Sequence, residues 1–320
     1  MSSYICYMDY LLPEQKMDVE GIFHNLSEDK KSSITDMDAH IKRFKEDTRL
    51  DRIAYFKDGQ EFSEKVYEMV DKMLQAANID VKKVTYIMCG NEHLFRANHV
   101  STIHSLQADF GFSNSMILPI MHPCAATLCG LKIADKLLEE DKYILIISGC
   151  YWENVEDRYI GFTMRGDGVG LTLVSSHGEL KVCDNKSLNY NNAVYDIHGA
   201  MRHDPSLSRM NLIQKGSEFL VESMKQYKCN EKTIRKIIQP NAGYSVFHDL
   251  YSYYAKVNPE LFYYDNIADG GHMCDIDIIR NLKDYMEQQE INKGEYLMIY
   301  TPDVEPTFDI NYYSSLLQKV

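Results

Sequence analysis

Met121-His122-Pro123-Cys124-Ala125-Ala126-Thr127-Leu128-Cys129-Gly130 is the stretch on which the reading of this chain turns. The apolar run Met116–Ile120 precedes it, and Leu128, Leu131, Ile133, Ala134, Leu137 and Leu138 follow at helical intervals. The pattern predicts a strand, a short joint and a helix, with Cys124 at the joint. Unpaired amides and the helix dipole at such a point lower a thiol's pKa and favour the nucleophilic thiolate. Ala125 and Ala126 would leave room for a substrate to approach. For any one of eight cysteines, the bland alternative is a buried structural thiol.

Working outward, residues 63–77 carry Val66, Met69, Val70, Met73, Leu74 and Ala77 at helical spacing, and the extended run Val84–Gly90 follows. Helix, joint and strand recur at 135–149, at 218–238 and at 276–300. Continuous apolar strands alternating with amphipathic helices predict an α/β fold. The pattern of 63–90 returns at 217–243, which predicts an internal duplication. The join is placed in the loop near 175–178, giving halves 1–176, with the nucleophile, and 177–320. Residues 185–204, rich in Asn and Tyr, read as a surface loop.

Three hundred and twenty residues, 45% of them hydrophobic, are enough for a large core. A net charge of -13 argues against non-specific binding to nucleic acid or to an anionic membrane. Docking of an acidic carrier protein would need a local basic patch. Residues 30–31, 42–45 and 232–236 offer one, although each also reads as a solvated helix face. The N-terminus has no apolar signal-peptide core, and no apolar run is long enough to cross a bilayer. The cysteines form no CxxC pair, so a reduced, cytoplasmic protein is expected. His272-Met273-Cys274-Asp275 gathers ligand-type residues, but zinc spacing is missing elsewhere and no metal is assigned.

Several segments, in order, resemble the ketoacyl-ACP synthase III group of the thiolase superfamily. Residues 123–135 are similar to that group's nucleophile segment, and Gly166-Asp167-Gly168-Val169-Gly170 to its Gly-Asp-Gly-Ala-Gly turn. Tyr10-Leu11-Leu12-Pro13-Glu14-Gln15, the run 143–149, Lys215-Gly216-Ser217-Glu218-Phe219 and Asn266-Ile267-Ala268-Asp269-Gly270-Gly271-His272 keep the expected order and spacing. The resemblance implies a thiolase fold, a five-layered αβαβα sandwich of two similar halves. It also implies an acyl group carried from a CoA or carrier-protein thioester onto Cys124, with no further cofactor, in a homodimer or in a heterodimer with a homologous subunit.

The departures from the family's pattern redirect the chemistry. Pro240, within Gln239-Pro240-Asn241, stands at the family's histidine, and His272 stands at its asparagine. Residues 300–306 replace its glycine-rich oxyanion turn and contain no glycine. Decarboxylating condensation loses a donor this way. A Cys124/His272 dyad would instead suit acyl transfer to an alcohol, an amine or an already nucleophilic carbon. A 3-oxoacyl synthase and a non-catalytic subunit paired with an active homologue are the alternatives. The resemblance assigns Cys124 as nucleophile and its amide as one oxyanion donor, while His272, at the family's asparagine, is read as base or polariser. Arg158 is placed near the family's CoA-binding arginine. Gln239 and Asn241 would bond a bound carbonyl or merely cap their loop, and His122 is read as structural.

Overall fold

The structure, a computed structural model, describes residues 2–91, 93–96, 101–190, 205–304 and 310–320. The first half runs β1 (Tyr4–Leu11), β2 (Lys16–Asp18), α1 (Val19–His24), α2 (Glu28–Ser32), α3 (Met37–Thr48), β3 (Arg52–Ala54), α4 (Gly59–Ala77), β4 (Val84–Gly90), α5 (His93–Arg96), α6 (Thr102–Asp109), β5 (Met116–Ile120), α7 (Ala126–Leu137), β6 (Tyr143–Cys150) and β7 (Gly168–Ser175). The second continues with β8 (Leu180–Tyr190), α8 (Pro205–Gln226), β9 (Ile234–Ile238), α9 (Ser252–Ala255), β10 (Asp269–Gly270), α10 (Ile276–Gln288), β11 (Tyr296–Val304) and β12 (Ile310–Lys319).

Among the described residues nine strands join in the order β5-β4-β6-β7-β1-β8-β12-β11-β9. The row β4-β6-β7-β1 and the row β9-β11-β12-β8 share one plan. The first pair is parallel (β4 with β6, β9 with β11), and the next two pairings in each row are antiparallel. The rows meet where Tyr4 and Ile5 pair with Lys181 and Leu180, next to the Val182 amide bonded to the Ser3 carbonyl at 2.9 Å. This repeat of strand order is the duplication that the helix-and-strand pattern predicts.

Burial divides the helices into layers. Leu128, Leu131 and Ala134 of α7 and Ile278 and Leu282 of α10 share one core with Ile144, Ile146 and Val174 of the first row and Ile238, Leu297, Ile299 and Leu317 of the second. These two helices therefore lie between the sheet rows. Phe62, Val66, Met69 and Met73 of α4, with Ile103 and Leu106 of α6, cover the outer face of the first row. Phe219, Leu220 and Met224 of α8 and Ala255 of α9 cover the outer face of the second. The result is the αβαβα sandwich of the thiolase fold. A helix packed on both sides needs small residues at its closest approach. At Gly130 of α7, an added Cβ would stand 2.6 Å from Ile146 Cδ1. Of the predicted 185–204 loop, residues 185–190 extend β8, and 191–204 lie outside the described residues.

Among the described residues no helix is long and apolar enough to cross a membrane. A small sheet, in the order β10-β3-β2, stands apart from the large one and anchors the loop that leads to His272.

Candidate active site

The chain leaves β5, turns through His122, Pro123 and Cys124, and enters α7, with the Ala125 amide bonded to the His122 carbonyl at 3.0 Å. The strand–joint–helix reading holds, but the small residues serve another purpose. Ala125 and Ala126 are wholly buried, and a Cβ on Gly90 would come within 2.2 Å of the Ala126 Cβ. They let the start of α7 sit against β4 and do not open a path for substrate.

His272 arrives on a loop clamped from two sides. Its amide donates to the Met164 carbonyl at 2.8 Å, and its carbonyl accepts the Gly166 amide at 3.1 Å. An added Cβ on Gly166 would meet the Gly270 carbonyl oxygen at 1.8 Å. The Gly-Asp-Gly segment thus carries glycine at Gly166 for close approach to the His272 loop. Gly270 and Gly271 do need the left-handed region, with φ of 105° and 79°.

This clamp brings Cys124 Sγ to 3.6 Å from His272 Nε2, across 148 residues of sequence. The other ring nitrogen, Nδ1, lies 2.6 Å from Asp277 Oδ2 in the first turn of α10. A carboxylate can only accept, so Nδ1 carries the proton and a neutral His272 presents a lone pair at Nε2. Asp277 is fully buried. Its Oδ2 also accepts the Asn241 amide at 2.8 Å, and its Oδ1 accepts the Met273 amide at 3.0 Å. The site is therefore a Cys–His–Asp line, in which Asp277 fixes the tautomer and the ring orientation. Burial disfavours the imidazolium of His272, but the Asp277 charge outweighs it and raises the pKa above the ordinary histidine value.

The thiols depart from expectation. Cys124 is held well above the ordinary thiol range by the facing Cys274, by burial, and by the charges of Asp303 and Asp277. Cys274 moves the other way, because hydrogen bonds from Cys124 and Cys150 and the nearby His272 outweigh its burial. The helix terminus alone predicted a lowered Cys124. What it missed is first the facing Cys274 and the burial of the thiol, and then Asp303, a fully buried carboxylate of β11. Its Oδ1 accepts the Cys124 amide at 2.9 Å and its Oδ2 lies 2.8 Å from His122 Nδ1. The amide expected to stabilise an oxyanion is thus engaged by a carboxylate from the segment that replaces the glycine-rich turn. Residues 305 and 306 of that segment lie outside the described residues. Thr301 completes the grip, its hydroxyl donating to the Cys124 carbonyl at 3.1 Å.

The predicted substrate-binding residues are engaged elsewhere. Arg158 is buried in a two-pronged pair with Asp167, at 2.9 Å from each of its oxygens, and also donates to the Trp152 carbonyl. Its guanidinium is not presented to a phosphate. Gln239 clips the backbone of Tyr263 from both ends of its amide. Asn241 braces Asp277, and its Oδ1 accepts from Asn281 Nδ2 at 2.9 Å. Sequence reading missed Asp277 and Asp303. Asp277, five residues after His272 at the start of a helix, carried a usable signal, whereas Asp303, 179 residues from Cys124, carried none. One set of potential metal ligands occurs among the described residues, comprising Cys124, His272 and Cys274.

Neither a protein-family model nor a curated protein sequence matches the chain. Solved structures do match it over nearly its whole length. The 3-oxoacyl-[acyl-carrier-protein] synthase III of Aquifex aeolicus VF5 superposes with a TM-score of 0.76 at 14% identity, covering 99% of each chain. Cerulenin-bound OleA of Xanthomonas campestris gives 0.77 at 11% identity, covering 99% of each chain. The acyltransferase ChlB3 gives 0.77 at 12% identity over 100% of this chain and 98% of its own. At such identities the likeness defines a thiolase-fold protein, and the function has to be argued from the site.

Proposed function

We propose that the chain is an acyltransferase that carries an acyl group on Cys124 from a CoA or carrier-protein thioester to an acceptor nucleophile. The Cys124–His272–Asp277 geometry carries this reading. A thiol whose pKa is raised needs a base, and His272 offers Nε2 to it while Asp277 holds the proton at Nδ1. His272 takes the Cys124 proton as Sγ attacks the thioester carbonyl. The donor's carbon–sulfur bond then breaks, and the imidazolium returns the proton to the departing thiolate. In the second half-reaction His272 takes a proton from an alcohol or amine acceptor, which attacks the acyl-cysteine and releases the Cys124 thiolate for reprotonation. Decarboxylating condensation fits less well. Pro240 supplies no donor, and His272 has one nitrogen committed to Asp277.

One observation favours a second reading, a non-catalytic subunit. Asp303 sits where an oxyanion would be received and places a carboxylate beside the Cys124 amide. Intact-protein mass spectrometry after incubation with acyl-CoAs and acyl-carrier proteins separates the two. A gain of one acyl group, absent in Cys124→Ala, supports the acyltransferase. No adduct from any donor moves the reading to the non-catalytic subunit.

A further inference from the structure

Two further sulfurs and an imidazole meet behind the nucleophile. Cys274 is buried, its sulfur 3.8 Å from that of Cys150, which in turn receives the Trp152 indole N–H at 3.1 Å. Cys274 holds a left-handed backbone, φ 54°, which is uncommon for a residue with a Cβ and turns its side chain toward Cys124 and His272. The bland account is that these thiols are small apolar fillers, since they pack with Met273, Ile276 and Leu12. That account leaves the arrangement of donors unexplained. Cys124 Sγ, Cys274 Sγ and a nitrogen of the His272 ring all lie within 4.8 Å of one another.

We propose that Cys124, His272 and Cys274 form a binding site for one thiophilic divalent cation of the zinc class. A tetrahedral zinc with Zn–S of about 2.3 Å and Zn–N of about 2.0 Å sets neighbouring donors roughly 3.5–3.8 Å apart. The Cys124 Sγ to His272 Nε2 distance, 3.6 Å, already equals such an edge. Nε2 is the nitrogen with the free lone pair, because Nδ1 donates to Asp277, the carboxylate–histidine pairing that orients imidazole ligands. Two thiolates match the charge of the cation, beside the buried carboxylates of Asp277 and Asp303. Binding takes both sulfurs as thiolates, and each S–H proton still present is released to solvent. Three protein donors leave the fourth tetrahedral position open. The site rests on donor geometry. Its consequence, silencing of acyl transfer by occupying both Cys124 and the His272 lone pair, rests on the acyltransferase reading.

The test is titration of the reduced, chelator-treated full chain with Co(II) and then Zn(II). One equivalent of Co(II) is expected to bring up a sulfur-to-cobalt charge-transfer band, which one equivalent of Zn(II) abolishes. Cys124→Ser and Cys274→Ser are each expected to lose most of the band while keeping the wild-type circular dichroism. A readout that needs no variant accompanies it: one equivalent of Zn(II) should slow iodoacetamide labelling of wild-type Cys124 by at least about tenfold, since the thiolate is the common nucleophile and ligand. Absence of the band, or a band that survives in both folded variants, overturns the site, as does labelling that Zn(II) leaves unchanged. The outcome is separable from the acyltransferase reading. A metal site without any acyl adduct sinks only the latter, and an acyl adduct indifferent to Zn(II) sinks only the former.

Discussion

Replacing Asp277 by asparagine exchanges one accepting oxygen for an NH2 group, and the local hydrogen bonds decide which way the new amide faces. If the remaining oxygen faces His272, the new NH2 opposes the Met273 amide, formerly bonded at 3.0 Å, and the Asn241 side-chain amide at 3.4 Å. The Asn241 side chain cannot turn to compensate, because its oxygen already accepts from Asn281. If instead the NH2 faces His272, only the Asn241 backbone amide, formerly bonded at 2.8 Å, is orphaned. His272 then accepts at Nδ1 and moves its proton to Nε2. The second arrangement leaves one fewer buried donor unpaired, worth about 1–3 kcal/mol, so it wins. Either way one backbone donor is lost, and a stability loss of the same size is expected. With the proton on Nε2, His272 cannot receive the Cys124 proton, and the same exchange in a Ser–His–Asp triad lowers turnover by roughly 10⁴. The assay is the rate of acyl-adduct formation by mass spectrometry, using whichever donor acylates the wild type. Nitrogen NMR of the His272 ring reports the tautomer without needing a substrate. An acylation rate within about tenfold of wild type in a folded protein whose tautomer has moved would refute His272 as base. A tautomer unchanged in Asp277→Asn would refute the hydrogen-bond reasoning itself.

Asp303→Asn keeps an oxygen for the Cys124 amide and removes the charge that helps to hold the thiol up. A neighbouring charge is worth about one pKa unit, and the more acidic thiolate is the weaker nucleophile, so iodoacetamide should label Cys124 roughly threefold faster at neutral pH; an unchanged or slower rate counts against the electrostatic role of Asp303. Gly166→Ala forces a Cβ to 1.8 Å from the Gly270 carbonyl oxygen, and overpacking of this kind costs about 1–3 kcal/mol or more. Its melting temperature should fall by several degrees, and a wild-type value would show that the His272 loop is looser than described. Asp269 is partly desolvated, yet Arg52 at 2.8 Å and Lys16 at 3.3 Å hold its carboxyl below the usual range. Its folded pKa lies below the unfolded value of about 3.9, so its contribution is complete above that pH and is lost as pH falls through the folded value. Asp269→Asn should be less stable than wild type near neutrality and converge with it in acid; a gap that persists at low pH would rule out the carboxylate charge as its source.

Much of the fold was legible in one dimension, because each element carries its own period. The helical spacing of Val66, Met69 and Met73 and the continuous run Val84–Gly90 are local consequences of burying one helix stripe or both faces of a parallel strand. The recurrence of that pattern exposed the duplication, which the strand order repeats with the same sense of pairing. The strand-to-helix joint fixed the position of Cys124, and two consecutive glycines marked the turn that presents His272.

The ionisation of the site and the partners of each group had no local signature. Asp303 meets the Cys124 amide only because β11 ends beside the start of α7, and a carboxylate brought there opposes the helix terminus that would have lowered the thiol. Arg158, Gln239 and Asn241 matched binding positions by order along the chain. Packing commits them to Asp167, to the Tyr263 backbone and to Asp277. Cys274 stands beside His272 in sequence without zinc spacing, and the Cys124 sulfur that lies within 4.8 Å of it comes from the other half of the molecule. The sequence by itself determined the elements, their repetition and the two chemical residues at turns, for which short-range sterics and periodicity suffice. Which buried charges and thiols face one another was decided only by tertiary packing, within each half for Arg158 with Asp167 and His272 with Asp277 and between the halves for Cys124 with His272 and Asp303, because electrostatic partners are set by distance in space.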